Sequence, residues 1–301
     1  MKPSQTKKRA MSAETFNMLM FAVILILAIL VTVAIHAIVG FAQEDEEGNG
    51  QANTNQEGQQ KTVTYHLNNP YTGVLSLCSP SSPWTEAQVD SVASTLIPLK
   101  SFAAYEKTPY LLAKDTLRAQ AEAVMALGDL CQALLDTGIT AIPVVTEAYL
   151  PYSEAKEGAG TSPFHTGYAL TLSLRVTLTG AEETLPLTSQ HPLVASATLW
   201  LCGHAHTFGF VAPDPNAPGT LLYVSPPHAT AMRNLGLTPT AYLPFVSSYS
   251  LASPLIVGET PMWRIFHLPA THGVATLTLP HTTAYYVTGD GGGGFVVTIP
   301  A

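Results

Sequence analysis

The chain has 301 residues, a formal net charge of −8 and 47% hydrophobic residues, while only 11% of its residues are charged. A chain of this length supplies one large hydrophobic core or two small ones. Because the chain is acidic and weakly charged, it lacks the basic surface that nucleic-acid binding requires. We therefore expect no nucleic-acid partner.

A basic segment and a long apolar run open the sequence. Residues 1–17 hold Lys2, Lys7, Lys8 and Arg9, and residues 18–41 are almost entirely apolar. A helix of about 24 residues spans roughly 36 Å, enough to cross a hydrocarbon core of about 30 Å. The basic flank predicts a single-pass anchor in the cell membrane, with a cytoplasmic N-terminus and an extracytoplasmic C-terminal domain. A cleavable signal peptide is the alternative, although its apolar region would be unusually long.

Residues 42–60 are rich in Glu, Gln, Asn and Gly and contain almost no apolar side chain. Such a segment cannot offset the entropy cost of ordering, so we expect a disordered linker. The folded sequence is expected to comprise a domain over residues 61–268 and a β-rich extension over residues 269–301.

The clearest predicted helix runs from about Asp115 to Thr137, where apolar residues recur every three or four positions. Asp115 or Thr116 is the expected N-cap, and Gly138 is placed to end the helix in a left-handed conformation. A short apolar run over residues 142–145 follows and predicts a strand.

Strict alternation of apolar and polar residues over residues 170–178 predicts a half-buried strand. A further helix is expected over residues 194–207. The last part of the chain is β-like, with short strands predicted at residues 264–268, 273–279, 284–287 and 295–299. One strong helix followed by many short strands indicates an α+β fold. Residues 289–294 are glycine-rich, but no Lys-Ser/Thr pair follows, which predicts a flexible turn and not a phosphate loop.

Cys78, Cys131 and Cys202 are the three cysteines, and none forms a C-x-x-C pair. Cys131 and Cys202 lie in apolar surroundings and are expected to be buried. Whether one disulfide forms stays open.

The segment Ser162-Pro-Phe-His-Thr-Gly-Tyr-Ala-Leu-Thr171 resembles the S-x-H-x-x-G-x-A-x-D motif of the VanY-type D-alanyl-D-alanine carboxypeptidases, the zinc peptidase family M15B. Ser162, Gly167 and Ala169 match that motif. Phe164 and Thr171 replace its His and Asp zinc ligands. A shift of one residue would bring His165 to the ligand position, but its spacing to Gly167 would then be wrong.

Two further segments between about Asn69 and Leu268 resemble the family. Residues 147–152 match its G-Y-R-S-Y segment at Tyr149 and Tyr152, with Leu150 in place of the Arg that grips the substrate carboxylate. Residues 200–210 resemble its W-L-x-x-N-A-x-x-Y-G-F helix. The resemblance implies a VanY/hedgehog-like peptidase domain, with helices packed on an antiparallel sheet.

The family's E-P-W-H motif carries the general base and the third zinc ligand. Its counterpart is placed at Thr260-Pro-Met-Trp263, so that Thr260 replaces the base and Trp263 replaces the His. A zinc peptidase needs three protein ligands and a carboxylate that deprotonates the bound water. Because these positions have lost their donors, the resemblance implies a degenerate member with no catalytic residue and no metal.

Two hypotheses for function follow. The first is a bacterial pseudoenzyme that needs no cofactor and acts as a cell-wall binding or scaffolding module. Its partner would be peptidoglycan or another cell-envelope protein, and Tyr149, Leu150, Tyr152, Ser162, Phe164, Tyr168, Thr171 and Trp263 would line the degenerate cleft. The second is an active D,D-carboxypeptidase that holds zinc with relocated ligands and trims peptidoglycan stem peptides. The candidate ligands are His165, His204, His206, His267 and His272.

Overall fold

The computed structural model describes residues 60–66, 73–77, 82–102, 108–155, 160–214, 216–272, 274–281, 283–292 and 294–301. The predicted membrane helix, nearly all of the predicted linker and Cys78 lie outside these residues. Among the described residues, none of the helices has both the length and the apolarity to cross a bilayer.

The chain alternates short helices with strands that form separate sheets. The helices are α1 (Glu86–Ala93), α2 (Leu99–Phe102), α3 (Ala121–Asp136), α4 (Pro192–His204), α5 (Pro226–Leu235) and α6 (Pro239–Val246). The strands are β1 (Gln60–His66), β2 (Ile97–Pro98), β3 (Leu111–Leu112), β4 (Arg118–Ala119), β5 (Ile142–Glu147), β6 (Ala169–Leu178), β7 (Ala181–Pro186), β8 (Phe210–Val211), β9 (Thr220–Tyr223), β10 (Leu255–Val257), β11 (Trp263–Pro269), β12 (Val274–Pro280), β13 (Tyr286–Gly289) and β14 (Gly294–Pro300). The predicted mixed fold of helices and antiparallel strands is confirmed.

The main sheet has the order β3-β5-β6-β9-β8. β9 pairs with residues 169–171 of β6, and β7 pairs with residues 173–178 of the same strand. All its pairings are antiparallel except that of β3 with β5. α3 and α4 cover it, and their apolar residues share one buried cluster with the inward side chains of β6. The alternation predicted for residues 170–178 is observed there, since Leu170, Leu172, Leu174 and Val176 are all buried.

Helix α3 begins later than predicted. The N-cap is Gln120, and neither Asp115 nor Thr116 caps it. The reason is a non-local pairing, because Arg118 and Ala119 form β4 against β2. The predicted end is confirmed, since Gly138 follows the C-cap with a φ of 83°.

The second sheet has the order β10-β11-β14-β13. One face, including Ile265 and Val296, joins a buried cluster with α5 and α6. The other face, including Phe266 and Val297, packs against Leu277 of β12. β12 itself pairs with β1 over seven residues. Strand β11 runs from Trp263 to Pro269. The second sheet therefore contains residues of both the predicted domain (61–268) and the predicted extension (269–301).

Two local predictions have different outcomes. Cys131 is buried as expected, whereas Cys202 is exposed and both thiols are free. Cys202 is exposed because the buried face of α4 is formed by Val194, Ala197 and Leu201, and position 202 does not lie on that face.

The glycine-rich segment joins β13 to β14 as a turn, in which Asp290 Oδ1 accepts hydrogen bonds from the N–H groups of Gly292 and Gly294.

Candidate functional site

The three positions that match the opening motif, Ser162, Gly167 and Ala169, serve backbone geometry and packing. The Ser162 hydroxyl accepts a hydrogen bond from Phe164 N–H at 3.3 Å and caps a short 3₁₀ helix over residues 163–166. Gly167 ends that helix with a φ of 72°, and a Cβ there would lie 2.5 Å from Leu96 Cδ2. A side chain at position 167 would therefore make the backbone conformation unfavourable and would also clash with Leu96. Ala169 is fully buried where β6 begins.

Phe164 and Thr171, at the two ligand-equivalent positions, offer a metal almost nothing. The Phe164 ring packs against the second cluster and has no lone pair. Thr171 Oγ1 donates a hydrogen bond to Glu147 Oε2 at 3.1 Å. Sequence reasoning did not find Glu147, which lies opposite Thr171 because a register shift follows Val145 in β5.

His165 is a buried structural residue. Its Nδ1 lies 2.7 Å from the Leu150 carbonyl oxygen, which can only accept, so the hydrogen bond assigns the ring proton to Nδ1. Nε2 then accepts from Gly160 N–H at 3.2 Å. The Tyr152 ring stacks on the imidazole at a centroid distance of 6.0 Å. Both ring nitrogens are therefore used by the backbone, and neither is available to a metal.

Leu150 lies next to Phe164, as the alignment of the two segments requires. Its N–H donates to the Phe164 carbonyl oxygen at 3.3 Å, so the carboxylate-binding position and the first ligand position are neighbours. An Arg pairs with a carboxylate through two N–H groups, whereas a Leu side chain has no donor.

The aromatic residues of the predicted cleft fall into two groups. Tyr149 and Tyr152 pack against a small cluster of Trp84 and Val89, where the Tyr149 hydroxyl donates to Val89 O at 3.2 Å. Tyr168 joins Phe164 and Trp263 against the second cluster.

Tyr168, Tyr223, Tyr286 and Trp263 form two aromatic pairs, which together we call the aromatic row. Tyr168 and Tyr223 stack at 6.1 Å and 24°, and Trp263 meets Tyr286 edge-on at 6.4 Å. Burial, Glu122 and Tyr286, in that order, raise the pKa of Tyr223. Sequence reasoning missed Tyr223 and Tyr286, since neither lies in a motif assigned to the site.

Thr260 and Trp263 belong to the second sheet. Thr260 is exposed in the turn between β10 and β11, and Trp263 pairs with Val257 and Pro300. The strand that pairs with residues 169–171 is β9. The sequence after β9 is Ser225-Pro-Pro-His228, which keeps the P-x-H spacing of E-P-W-H. His228 was not among the candidate ligands named from the sequence.

His228 is nevertheless turned into the core. Its Nδ1 lies 2.9 Å from the Tyr242 hydroxyl of α6, and its Nε2 lies 3.3 Å from Thr298 Oγ1 of β14. Burial lowers the pKa of His228 from 6.5 to about 3, so the ring is neutral. Like His165, it has hydrogen-bond partners at both nitrogens.

The remaining candidate histidines do not converge on the opening motif. His204 Nδ1 lies 2.8 Å from Trp200 O one turn earlier in α4, and His267 Nε2 pairs with Asp290 at 2.8 Å beside the glycine-rich turn. His206 lines a separate cavity and His272 is exposed. In the part of the chain that the structure describes, no three His, Cys, Asp or Glu side chains are grouped so that they could hold a metal. The residues present do not fit the zinc ion that the resemblance implies.

The helix motif of residues 200–210 has a packing role. Leu201, Ala205 and Phe210 are buried in the main cluster. Gly209 has a φ of 87°, and a Cβ there would lie 2.7 Å from the Tyr223 ring. The glycine therefore lets the end of this segment approach the aromatic row.

The chain is similar to the vancomycin-resistance D,D-dipeptidase VanXYg, which was solved in complex with a D-Ala-D-Ala phosphinate analogue. The TM-score is 0.62 at 18% identity, over 81% of this chain and 100% of that chain. This chain has the VanXYg fold. At this identity the likeness establishes architecture, and the chemistry must be argued from the residues.

Weaker similarities to other peptidases accompany it. A VanY D,D-pentapeptidase variant bound to Zn(II) matches with a TM-score of 0.39 at 17% identity, over 56% of this chain and 98% of that chain. The LD-carboxypeptidase LdcB matches with a TM-score of 0.37 at 18% identity, over 50% of this chain and 78% of that chain. No protein-family model and no curated protein matches the sequence.

Proposed function

We propose that the protein is a membrane-anchored, extracytoplasmic and non-catalytic relative of the D,D-carboxypeptidases that binds or scaffolds the cell wall. The observation that carries this proposal concerns the donors beside the degenerate positions. His165 and His228 each have hydrogen-bond partners at both ring nitrogens, and Thr171 is bonded to Glu147. Neither His165 nor His228 could bind a metal without losing one of these hydrogen bonds.

Hydrolysis by this family would require a bound metal that activates water, with three protein ligands and a carboxylate base. Phe164, Thr171 and Thr260 offer two hydroxyl groups and an apolar ring in place of a His, an Asp and a Glu. The motif positions that are kept, Ser162 and Gly167, support the backbone. This division between kept framework and lost chemistry supports a role in binding.

The aromatic row supplies a surface for such binding. Tyr286 is 49% exposed and Trp263 is half-buried, so both rings are accessible at one end of the row. Aromatic rings bind the faces of sugars and peptide groups through apolar contact, while a tyrosine hydroxyl adds a hydrogen bond. Because Leu150 cannot pair with a carboxylate, recognition would not depend on a free peptide C-terminus.

The location at the cell envelope rests on the sequence. The apolar run over residues 18–41 with its basic flank is long enough for an anchor, and residues 42–60 would hold the folded part away from the membrane. A wall polymer would then be within reach of the aromatic row.

Retention of the purified full-length protein on isolated peptidoglycan tests this function. We expect Tyr286→Ala to weaken retention about fivefold, the effect of losing ~1 kcal/mol of ring contact. Leu251→Ala is the matched control, since Leu251 is also 49% exposed and lies outside the row. No retention above that of an unrelated membrane protein would contradict wall binding and would favour a protein partner in the envelope. Zinc-dependent release of D-Ala from a pentapeptide would favour the active carboxypeptidase.

A further inference from the structure

The outward face of α4 is apolar and carries no charge. No Asp, Glu, Lys or Arg occurs over residues 184–213, which include this helix. Leu199 and Cys202 lie one turn apart on the outward face. Leu199 is 76% exposed, more than any other large apolar side chain of the described residues. Single exposed apolar residues are normal on a protein surface, so the surroundings of Leu199 decide whether it marks an interface.

The apolar surface continues beyond Cys202. The cavity that His206 lines is a half-open depression of about 310 Å³, and Cys202, Ala212 and Leu237 also line it. Leu235, two residues before Leu237, is 42% exposed. The patch formed by the outward face of α4, this depression and Leu235 thus combines protruding leucines with a concave apolar surface.

One cation and one anion lie beside the depression. Arg233 lines it, and Asp214 comes two residues after the lining residue Ala212. Both side chains are exposed, and neither forms an ion pair with any described residue. Asp214 Oδ1 accepts hydrogen bonds from the backbone and side-chain N–H groups of Asn216, which leaves Oδ2 without a partner in the described structure. The patch therefore holds both charges of a salt bridge that the single chain does not form.

We propose that this patch is the interface of a homodimer with two-fold symmetry, in which Arg233 of one copy pairs with Asp214 of the partner subunit. In a two-fold interface, residue i meets residue j and residue j meets residue i, so the surface must be complementary to itself. A patch with one charge of each sign and an apolar centre meets this requirement. Two chains of net charge −8 repel each other, and the uncharged face of α4 is where they approach with no like-charge contact. This interface is independent of the wall-binding function proposed above.

Two charge-reversal variants of the full-length protein in detergent test the interface through its symmetry. We expect the wild type to dimerise with increasing concentration in analytical ultracentrifugation. Arg233→Asp and Asp214→Arg should each weaken homodimerisation about tenfold, because each homodimer then brings together two like-charged pairs. An equimolar mixture of the two variants should form heterodimers as readily as the wild type forms dimers, because both pairs attract again.

Two matched controls separate this interface from general effects of substitution. Arg264→Asp should dimerise like the wild type, since Arg264 is exposed on β11 and does not line the depression. Leu199→Ser should weaken dimerisation, whereas Leu251→Ser, at another exposed leucine, should not.

Three results would overturn the proposal. The first is a wild type that stays monomeric at all concentrations. The second is association that the two charge reversals leave unchanged, or that Arg264→Asp weakens as much as Arg233→Asp does. The third is a mixture of Arg233→Asp and Asp214→Arg that stays as weakly associated as each variant alone.

Discussion

Two buried histidines, His165 and His228, have structural roles. His165 joins two loops through backbone groups of Leu150 and Gly160, and His228 joins α5 to α6 and β14. In each case a neutral imidazole uses one nitrogen as a donor and the other as an acceptor. Removing such a residue should affect stability before it affects any activity.

The pH dependence of stability should report on His228. Because burial lowers its pKa in the folded protein from 6.5 to about 3, the unfolded chain takes up this proton first as the pH falls. The contribution of His228 to the free energy of unfolding is then fully present above about pH 6.5. It declines between pH 6.5 and about 3, by ~1.4 kcal/mol per pH unit. At pH 5 the loss is about 2 kcal/mol.

The variant His228→Gln removes this proton site and keeps a polar side chain. We expect its free energy of unfolding to fall by about 2 kcal/mol less than that of the wild type between pH 7 and pH 5. Denaturant unfolding at both pH values measures the difference. Equal losses in the two proteins would show that His228 does not carry the dependence.

The variant His165→Leu should be destabilised by about 2–3 kcal/mol at pH 7, because the Leu150 carbonyl and the Gly160 N–H lose their partner in a buried position. His281→Leu, at an exposed position, should change the free energy of unfolding by less than about 0.5 kcal/mol. Denaturant midpoints compare the two. A destabilisation of His165→Leu no larger than that of the control would contradict the structural role.

At the scale of elements, the features that depend on local sequence patterns were predicted correctly. The strand β6 and the end of α3 at Gly138 follow from alternation and from helix-end chemistry, which nearby residues fix. The start of α3 could not be predicted, because residues 118–119 pair with a strand about twenty residues earlier. For the same reason, the pairing of β9 with the start of β6 was not found, and His228 was missed.

The sequence predicted that the folded part begins near residue 61, but it did not predict the strand β1. It pairs with β12, and Tyr65 reaches the cluster of Phe266 and Val297. The burial of β1 alternates, so Val63 is half-buried and Thr64 is exposed. Residues 60–66 are thus held in place by their pairing with residues 274–280.

A charge on the inward side of β1 should weaken this connection. We expect Val63→Asp to destabilise the protein by about 1–2 kcal/mol, because it places a carboxylate against Leu277, whereas Thr64→Asp should have an effect below about 0.5 kcal/mol. Thermal unfolding of the two variants tests this difference. Equal melting temperatures would mean that β1 does not pack on the second sheet through Val63.

At the scale of the whole molecule, the chain has the fold of a D,D-peptidase. That Phe164, Thr171 and Leu150 replace functional side chains of such an enzyme stays a prediction from the motif resemblance. The aromatic row was predicted only in part, because Tyr223 and Tyr286 reach Tyr168 and Trp263 through the pairing of strands that are distant in sequence. Ser162 and Gly167 fix backbone conformation, which does not depend on a metal.

The zinc content of the purified full-length protein, measured by mass spectrometry after incubation with zinc and exhaustive dialysis, tests this account most directly. The zinc-bound VanY protein, treated in the same way, is the positive control. Because the described residues hold no group of three metal-ligating side chains, we predict a zinc content well below one ion per chain and no release of D-Ala from a pentapeptide. One zinc ion per chain, retained through dialysis and accompanied by D-Ala release, would contradict it.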